Sequence, residues 1–359
     1  MDVRRPASAG RVVSGQGGLL SGPEVAVVVP THQRRELVLR LLASLAAQRL
    51  HPARFEVAVV CDGCADGTAS AALGYYGPTL ARGLNLIVVE QARSGAATAR
   101  NAGVNRTTAP LILFLDDDMI ADPDLLARHL RAHRTAPGAI VLGAIPVHPD
   151  SPRSFLSVGL AAWADRRDAR LRHEAWVPPD DVLSGHVSVS RKVFELLGGF
   201  DTGFTAGGTF GGEDIDFGWR ARLNGIPLRY LPQAVARQVY AKSFRALARN
   251  IREGAVADVR LARRHPELQR WLALGRLEEM GPLQRRLFER TLRGSRWCRV
   301  AGRMGVLTLE TAHRWKRTGL VFERLHALLR AHFYGLGLLD AGGMPARAPV
   351  GEHAESLTA

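Results

Sequence analysis

Between Glu24 and Val147 the chain alternates short β-branched runs with stretches whose apolar residues recur at helical spacing. Glu24 to Val29, Phe55 to Val60, Leu84 to Val89 and Leu111 to Leu115 read as strands, and Leu37, Leu41, Leu42 and Leu45 mark a helix between the first two. Such alternation implies parallel strands joined by crossover helices, hence an α/β fold with a mostly parallel sheet flanked by helices. In open sheets of this kind ligands bind at the carboxyl ends of the strands. Those ends are unusually polar here: Pro30, Thr31, His32 and Gln33 after the first, Cys61, Asp62 and Gly63 after the second, Asp116, Asp117 and Asp118 after the fourth.

The length of 359 residues allows one large domain, or one of ordinary size with an extension. From about Lys242 the character changes. Phe244 to Arg264, Leu283 to Arg293 and Leu320 to Tyr334 are Arg- and Leu-rich and amphipathic, with Pro266 and Pro282 as breaks. The expected organisation is a loose segment 1–23, a sheet domain 24–240, a helical extension 241–340 and a loose tail 341–359. The longest charge-free stretches, Phe155 to Ala164 and His332 to Leu339, are too short to span a bilayer. Met1 to Gly22 has no continuous apolar run of the kind that directs export. With three cysteines, an odd count, this points to a cytoplasmic protein. Cys61 and Cys64 have the spacing of a redox pair or half a zinc site, but also that of a turn after a strand.

Asp116 and Asp118 follow an apolar strand, and in an extended chain they share one face. Two carboxylates roughly 6–7 Å apart repel by about 2–3 kcal/mol at an effective dielectric near 20, a cost that a divalent cation would relieve. An all-oxygen set favours Mg²⁺ or Mn²⁺, an ion that also holds substrate phosphates. The competing reading is a solvated acidic turn, since Asp122, Pro123 and Asp124 resemble a helix start. Further on, a Gly-rich approach from Gly203 to Gly212 opens onto Glu213, Asp214 and Asp216, where amide dipoles at a helix start favour negative charge. That pattern suits either a mobile loop delivering a carboxylate or simple helix capping.

Six motifs in order, Val-Val-Pro-Thr at 28–31, Cys-Asp-Gly-Cys-Ala-Asp-Gly-Thr at 61–68, Ala-Arg-Asn-Ala-Gly at 99–103, Phe-Leu-Asp-Asp-Asp at 114–118, Gly-Gly-Phe-Asp at 198–201 and Gly-Glu-Asp-Ile-Asp-Phe-Gly-Trp-Arg at 212–220, resemble family 2 glycosyltransferases of GT-A fold. The resemblance covers residues 24–240 and implies inverting, metal-dependent transfer of a sugar from a nucleotide-sugar donor, first of all a UDP-sugar, to a hydroxyl acceptor. It implies a donor site at Pro30, Thr31, Asp62, Arg100, Asp116 and Asp117. Asp62 would accept from a uracil-like base, and Arg100 would contact base or phosphate. Asp118, with Asp116, would hold Mg²⁺ or Mn²⁺ on the diphosphate, and Asp214, with Glu213 as second choice, would deprotonate the acceptor. His186 and Trp219 are expected on the acceptor side. Cys61 and Cys64 replace residues common in the family's acidic turn, and Gln238 stands where many relatives place a metal-binding His.

The alternative within this fold is a non-catalytic nucleotide- or glycan-binding module. The net charge of +14 raises a third class, nucleic-acid binding, but no nucleic-acid motif accompanies it, so no specific nucleic-acid partner is expected. A dehydrogenase is disfavoured because no Gly-x-Gly-x-x-Gly follows a strand. Much of the arginine excess lies in the extension. Its helices would either rest on an anionic membrane, at the inner face of which the protein would then be peripheral, or pack on the sheet domain or a second subunit as a homodimer.

Overall fold

The computed structural model describes residues 22–77, 83–174, 176–294, 296–314 and 319–345. The expected loose ends, 1–23 and 341–359, lie outside these residues except for 22–23 and 341–345.

In chain order, β1 (Val25–Thr31), α1 (Arg35–Ala46), β2 (Phe55–Asp62), α2 (Thr68–Tyr76), β3 (Leu86–Gln91), α3 (Ala96–Asn105) and β4 (Leu111–Leu115) form the alternating half. There follow β5 (Met119–Ala121), α4 (Leu125–Thr135), β6 (Ile140–Ala144), α5 (Phe155–Leu171), β7 (His186–Ser190), α6 (Arg191–Leu196), α7 (Glu213–Leu223) and β8 (Leu228–Gln238). Four long helices close the chain: α8 (Phe244–Arg264), α9 (Pro282–Leu292), α10 (Arg296–Arg314) and α11 (Leu320–Asp340).

The sheet order is β3-β2-β1-β4-β7-β6-β8-β5. β1 pairs in parallel with β2 and β4, and β2 with β3, whereas β7 runs antiparallel between β4 and β6. Strand β1 is apolar from Val25 to Pro30 because both its faces are covered. Val25, Val27 and Val29 pack with Leu41, Leu42 and Leu45 of α1, while Val28 points into the opposite layer with Ala97 and Val104 of α3. Helix α3 sits so close to the sheet that a Cβ on Gly103 would lie 2.5 Å from Val28 Cγ1 and 3.2 Å from Val60 Cγ2. This explains the small residues of its Ala-Arg-Asn-Ala-Gly stretch. Asn101 then fastens the helix to the Gly-Gly-Phe-Asp turn: its Nδ2 donates to Phe200 O at 2.8 Å and its Oδ1 accepts from Phe200 N at 3.1 Å.

The C-terminal helices pack on α7 and on one another. Trp219 and Phe204 share a core with Val259 and Leu261 of α8, Phe288 of α9 and Tyr334 and Leu338 of α11. A Cβ on Gly337 would fall 2.1 Å from Arg252 O, so α11 crosses α8 at backbone contact. The Tyr334 hydroxyl donates to Asp258 Oδ2 at 2.6 Å, satisfying a polar pair that burial would otherwise penalise. No helix among the described residues is long and apolar enough to cross a membrane.

Candidate active site

The chain switches direction at β1: β2 and β3 lie to one side and β4 to the other. The carboxyl ends of β1 and β4 therefore flank one crevice, the position where open α/β sheets bind ligands. After Leu115 the chain turns, with Met119 N donating to Asp116 O at 3.2 Å, so Asp116, Asp117 and Asp118 fan out instead of alternating along an extended strand. Asp117 turns inward and accepts from the Thr31 hydroxyl at 2.8 Å, locking the end of β4 to the end of β1. Of the other two, Asp116 is the more open, its side chain 37% exposed against 13% for Asp118.

Arg100, the second residue of the Ala-Arg-Asn-Ala-Gly motif in α3, is buried and bridges two acidic segments. Its Nη2 meets Asp116 Oδ1 at 2.7 Å and its Nη1 meets Glu213 Oε1 at 2.9 Å. Burial alone would lower the guanidinium, but Asp116 and Glu213 outweigh it and hold Arg100 raised. Glu213 Oε2 and Arg100 Nε are buried without partners among the described residues. Next to Glu213, Asp214 accepts from Ile215 N at 2.9 Å and weakly from Ser184 N at 3.5 Å. Burial and the Glu213 charge push its carboxyl up to about 7. Both acids sit in the first turn of α7, whose start is fixed by Gly212 at φ +99° against Phe204 and Ala257. The Gly-rich approach thus ends in a helix N-terminus packed on α8. Asp216 points elsewhere: it bonds Arg220 at 2.7 Å and His265 at 3.0 Å, tying α7 to the end of α8.

Asp118 is enclosed by nitrogen donors. Arg34 Nη1 lies 3.3 Å from its Oδ2 and 2.8 Å from Asp117 Oδ1, and Gln238 Nε2 donates to both Asp118 oxygens at 3.3 and 3.2 Å. Burial, Asp116 and Asp117 still push the Asp118 carboxyl up to about 7. Three carboxylates thus crowd one strand end, a setting that a divalent cation would suit. Asp118 and Asp116 offer hard oxygens suited to Mg²⁺ or Mn²⁺, and no cluster of three or more His, Cys, Asp or Glu ligands exists among the described residues. Such an ion would complete its shell from substrate phosphates, with Arg34 moving off Asp118. Lys242, in the loop after β8, is a second cation influenced by Asp118 and Asp116, its Nζ 5.6 Å from the Phe210 ring.

Asp62 lies at the expected strand end, but its carboxylate is largely engaged. Oδ1 accepts from Gln91 Nε2 at 2.8 Å and Ser94 N at 2.7 Å, and Oδ2 accepts from Gly95 N at 2.9 Å. Its first task is to hold the loop that starts α3. Pro30 is buried at the end of β1. Cys61 and Cys64 form no disulfide, burial pushes the Cys61 thiol up to about 12, and among the described residues no group of three or more His, Cys, Asp or Glu gathers round them.

Two expected acceptor-side residues need correction. His186 is 1% exposed: its ring packs over Gly143, its Nδ1 lies 3.1 Å from Ala144 O, and its Nε2 is 3.0 Å from His129 Nε2. His129 in turn meets the Ser188 hydroxyl at 2.8 Å, and burial pushes His186 down to about 4. It is a neutral core histidine. Trp219 is 2% exposed and belongs to the core under the C-terminal helices, not to an open acceptor face. A helix does start after Asp122 to Asp124, with Asp124 at the N-cap position of α4, but without a side-chain cap. Asp122 pairs with Arg237 and Asp124 with Arg49.

Residues 26–197 match the family model described as glycosyl transferase family 2. Among relatives, validoxylamine A glucosyltransferase of Streptomyces hygroscopicus subsp. limoneus is 31% identical over 272 residues, 68% of this chain and 58% of that protein. Succinoglycan biosynthesis protein ExoM of Rhizobium meliloti is 29% identical over 255 residues, 68% of this chain and 77% of that protein. The chain spans 58% and 62% of the two validoxylamine A glucosyltransferases it matches. Among solved structures, mannosyltransferase PcManGT from Pyrobaculum calidifontis, in complex with GDP-Man and Mn²⁺, superposes with a TM-score of 0.57 at 20% identity, covering 88% of each chain. S. aureus TarS 1-349 in complex with UDP superposes at 0.50 and 17% identity, covering 92% of this chain and 94% of that one. The chain carries the GT-A fold, and its segment 26–197 is similar to glycosyl transferase family 2.

Proposed function

We propose that this protein transfers a sugar from a nucleotide-sugar donor to a hydroxyl acceptor with inversion, and that Asp214 is the base. The observation that carries this reading is the line Asp116, Arg100, Glu213, Asp214, with Arg100 and Glu213 buried at its centre, which joins the end of β4 to the first turn of α7. Burial and the Glu213 charge push the Asp214 carboxyl up to about 7, which supports this reading because a base works best when its pKa lies near the working pH. Glu213 is the weaker candidate because Arg100 already takes one of its oxygens.

In the proposed reaction the acceptor hydroxyl gives its proton to Asp214 while its oxygen attacks the anomeric carbon. The bond from that carbon to the diphosphate oxygen breaks on the opposite face, and the electron pair leaves on the nucleoside diphosphate. Arg100 is fixed by two acids and positions both. Thr31 and Asp117 lock the strand ends that would line the nucleoside pocket with Pro30, and Asp62 shapes the loop beside it. A divalent ion held by Asp118 and Asp116 would supply Lewis-acid stabilisation of charge on the departing diphosphate. The names of the relatives and the GDP-Man and UDP complexes of the structural neighbours support a nucleotide-sugar donor.

The test is a panel of nucleotide sugars, UDP-sugars first, with Mg²⁺ or Mn²⁺, read by thermal stabilisation and by nucleoside diphosphate release. The expected result is one donor class that both stabilises and turns over, with Asp118→Ala folded but unresponsive to metal. Stabilisation without turnover across a broad acceptor screen would instead support a non-catalytic binding module.

A further inference from the structure

The positive charge of the chain is localised. Residues 241–340 hold 21 Lys and Arg against 9 Asp and Glu, a net +12 of the total +14, while residues 24–240 are close to neutral. Within that region α10 has two apolar faces. Val306 and Leu309 point inward, into a core with Phe322 and Leu329 of α11 and Phe244 of α8. Trp297, Val300, Met304 and Leu307 recur at helical spacing along the other side and are exposed by 83%, 48%, 65% and 61%. Arg299 and Arg303 line one edge of this stripe and are exposed. Two more exposed apolar residues, Leu320 at 73% and Val321 at 82%, open the following helix. A soluble surface rarely strings large apolar side chains into such a row without a partner.

We propose that the outer face of α10 is a membrane-docking surface that seats on an anionic bilayer, its Trp, Val, Met and Leu side chains entering the interface and Arg299 and Arg303 meeting lipid phosphates. Charge complementarity selects this occupant. Apolar side chains at the centre of the face oppose nucleic acid, whose surface is phosphate, and a second copy of the chain would bring one +12 extension against another. An anionic lipid surface answers both the stripe and its cationic border.

The test uses the full chain in co-sedimentation with vesicles of phosphatidylcholine alone and with phosphatidylglycerol added, at low and physiological salt, beside analytical ultracentrifugation without lipid. Expected are binding to the phosphatidylglycerol vesicles only, weakened by salt, and a fall of roughly tenfold or more in affinity for Arg299→Gln with Arg303→Gln. Met304→Asp with Leu307→Asp is expected to abolish binding with an unchanged circular dichroism melt, since both side chains point away from the core. Failure of the wild-type chain to bind at low salt overturns the proposal, as does undiminished binding by both double variants. A concentration-dependent dimer that the aspartate variant converts to monomer would assign the face to a second copy instead.

Discussion

Replacing Arg100 by Met removes the counter-charge shared by Asp116 and Glu213. The two halves of the bridge differ in worth. At Glu213 both side chains are buried, 4% and 7% exposed, so leaving that carboxylate unpaired falls in the range of a broken buried ion pair, about 3 kcal/mol. At Asp116 the carboxylate is 37% exposed and water replaces much of the lost contact, which reduces that half to about 1 kcal/mol. The sum, about 4 kcal/mol, corresponds to a fall in Tm of roughly 8 °C at the shallow slope of a large domain. Calorimetry of wild type and Arg100→Met measures this difference, and a Tm left unchanged by the substitution would refute the bridge as a stabilising element.

Three further substitutions probe other links. Glu213→Gln removes the charge that, after burial, does most to raise Asp214, so the acidic limb of the kcat/KM profile is expected to move below its wild-type position near pH 7; an unmoved limb would uncouple the two acids. Arg34→Met takes a cation from Asp117 and Asp118, and Mn²⁺ binding without nucleotide, followed by electron paramagnetic resonance, should tighten; weaker or unchanged binding would mean that Arg34 does not compete for Asp118. Gly103→Ala drives a Cβ to 2.5 Å from Val28, so urea unfolding should show a loss of about 1–3 kcal/mol, and no loss would contradict the close seating of α3 on the sheet.

The alternating half of the fold was readable because strands buried on both faces write themselves as unbroken apolar runs. β4 and α8 fall where the periodicity puts them, and β1 and β2 within two residues. β7 was not readable: His-Val-Ser-Val-Ser is short and half polar, and its antiparallel seat beside β4 depends on His129, far away in sequence, to satisfy His186 and Ser188. That same network is why a histidine after a glycine turn looked available to an acceptor and is instead buried. Helix α10 went unnoticed because Gly302 and Gly305 interrupt its pattern and its two apolar faces cancel any single stripe. At the site, the aspartates and Arg100 carry motif signals, whereas Arg34 reaches Asp117 and Asp118 across more than eighty residues with nothing local to announce it. Asp122 and Asp124 had the composition of a cap, but Arg237 and Arg49 compete for the same carboxylates and win.

The central claim, that Asp214 is the base of a sugar transfer, is tested most directly by Asp214→Asn with the donor that the panel identifies. Donor affinity is expected to stay within a few-fold of wild type while the rate of nucleoside diphosphate release to acceptor falls by roughly 10²–10⁴, the usual contribution of a positioned base. Turnover by the Asn variant at the wild-type rate would contradict the account.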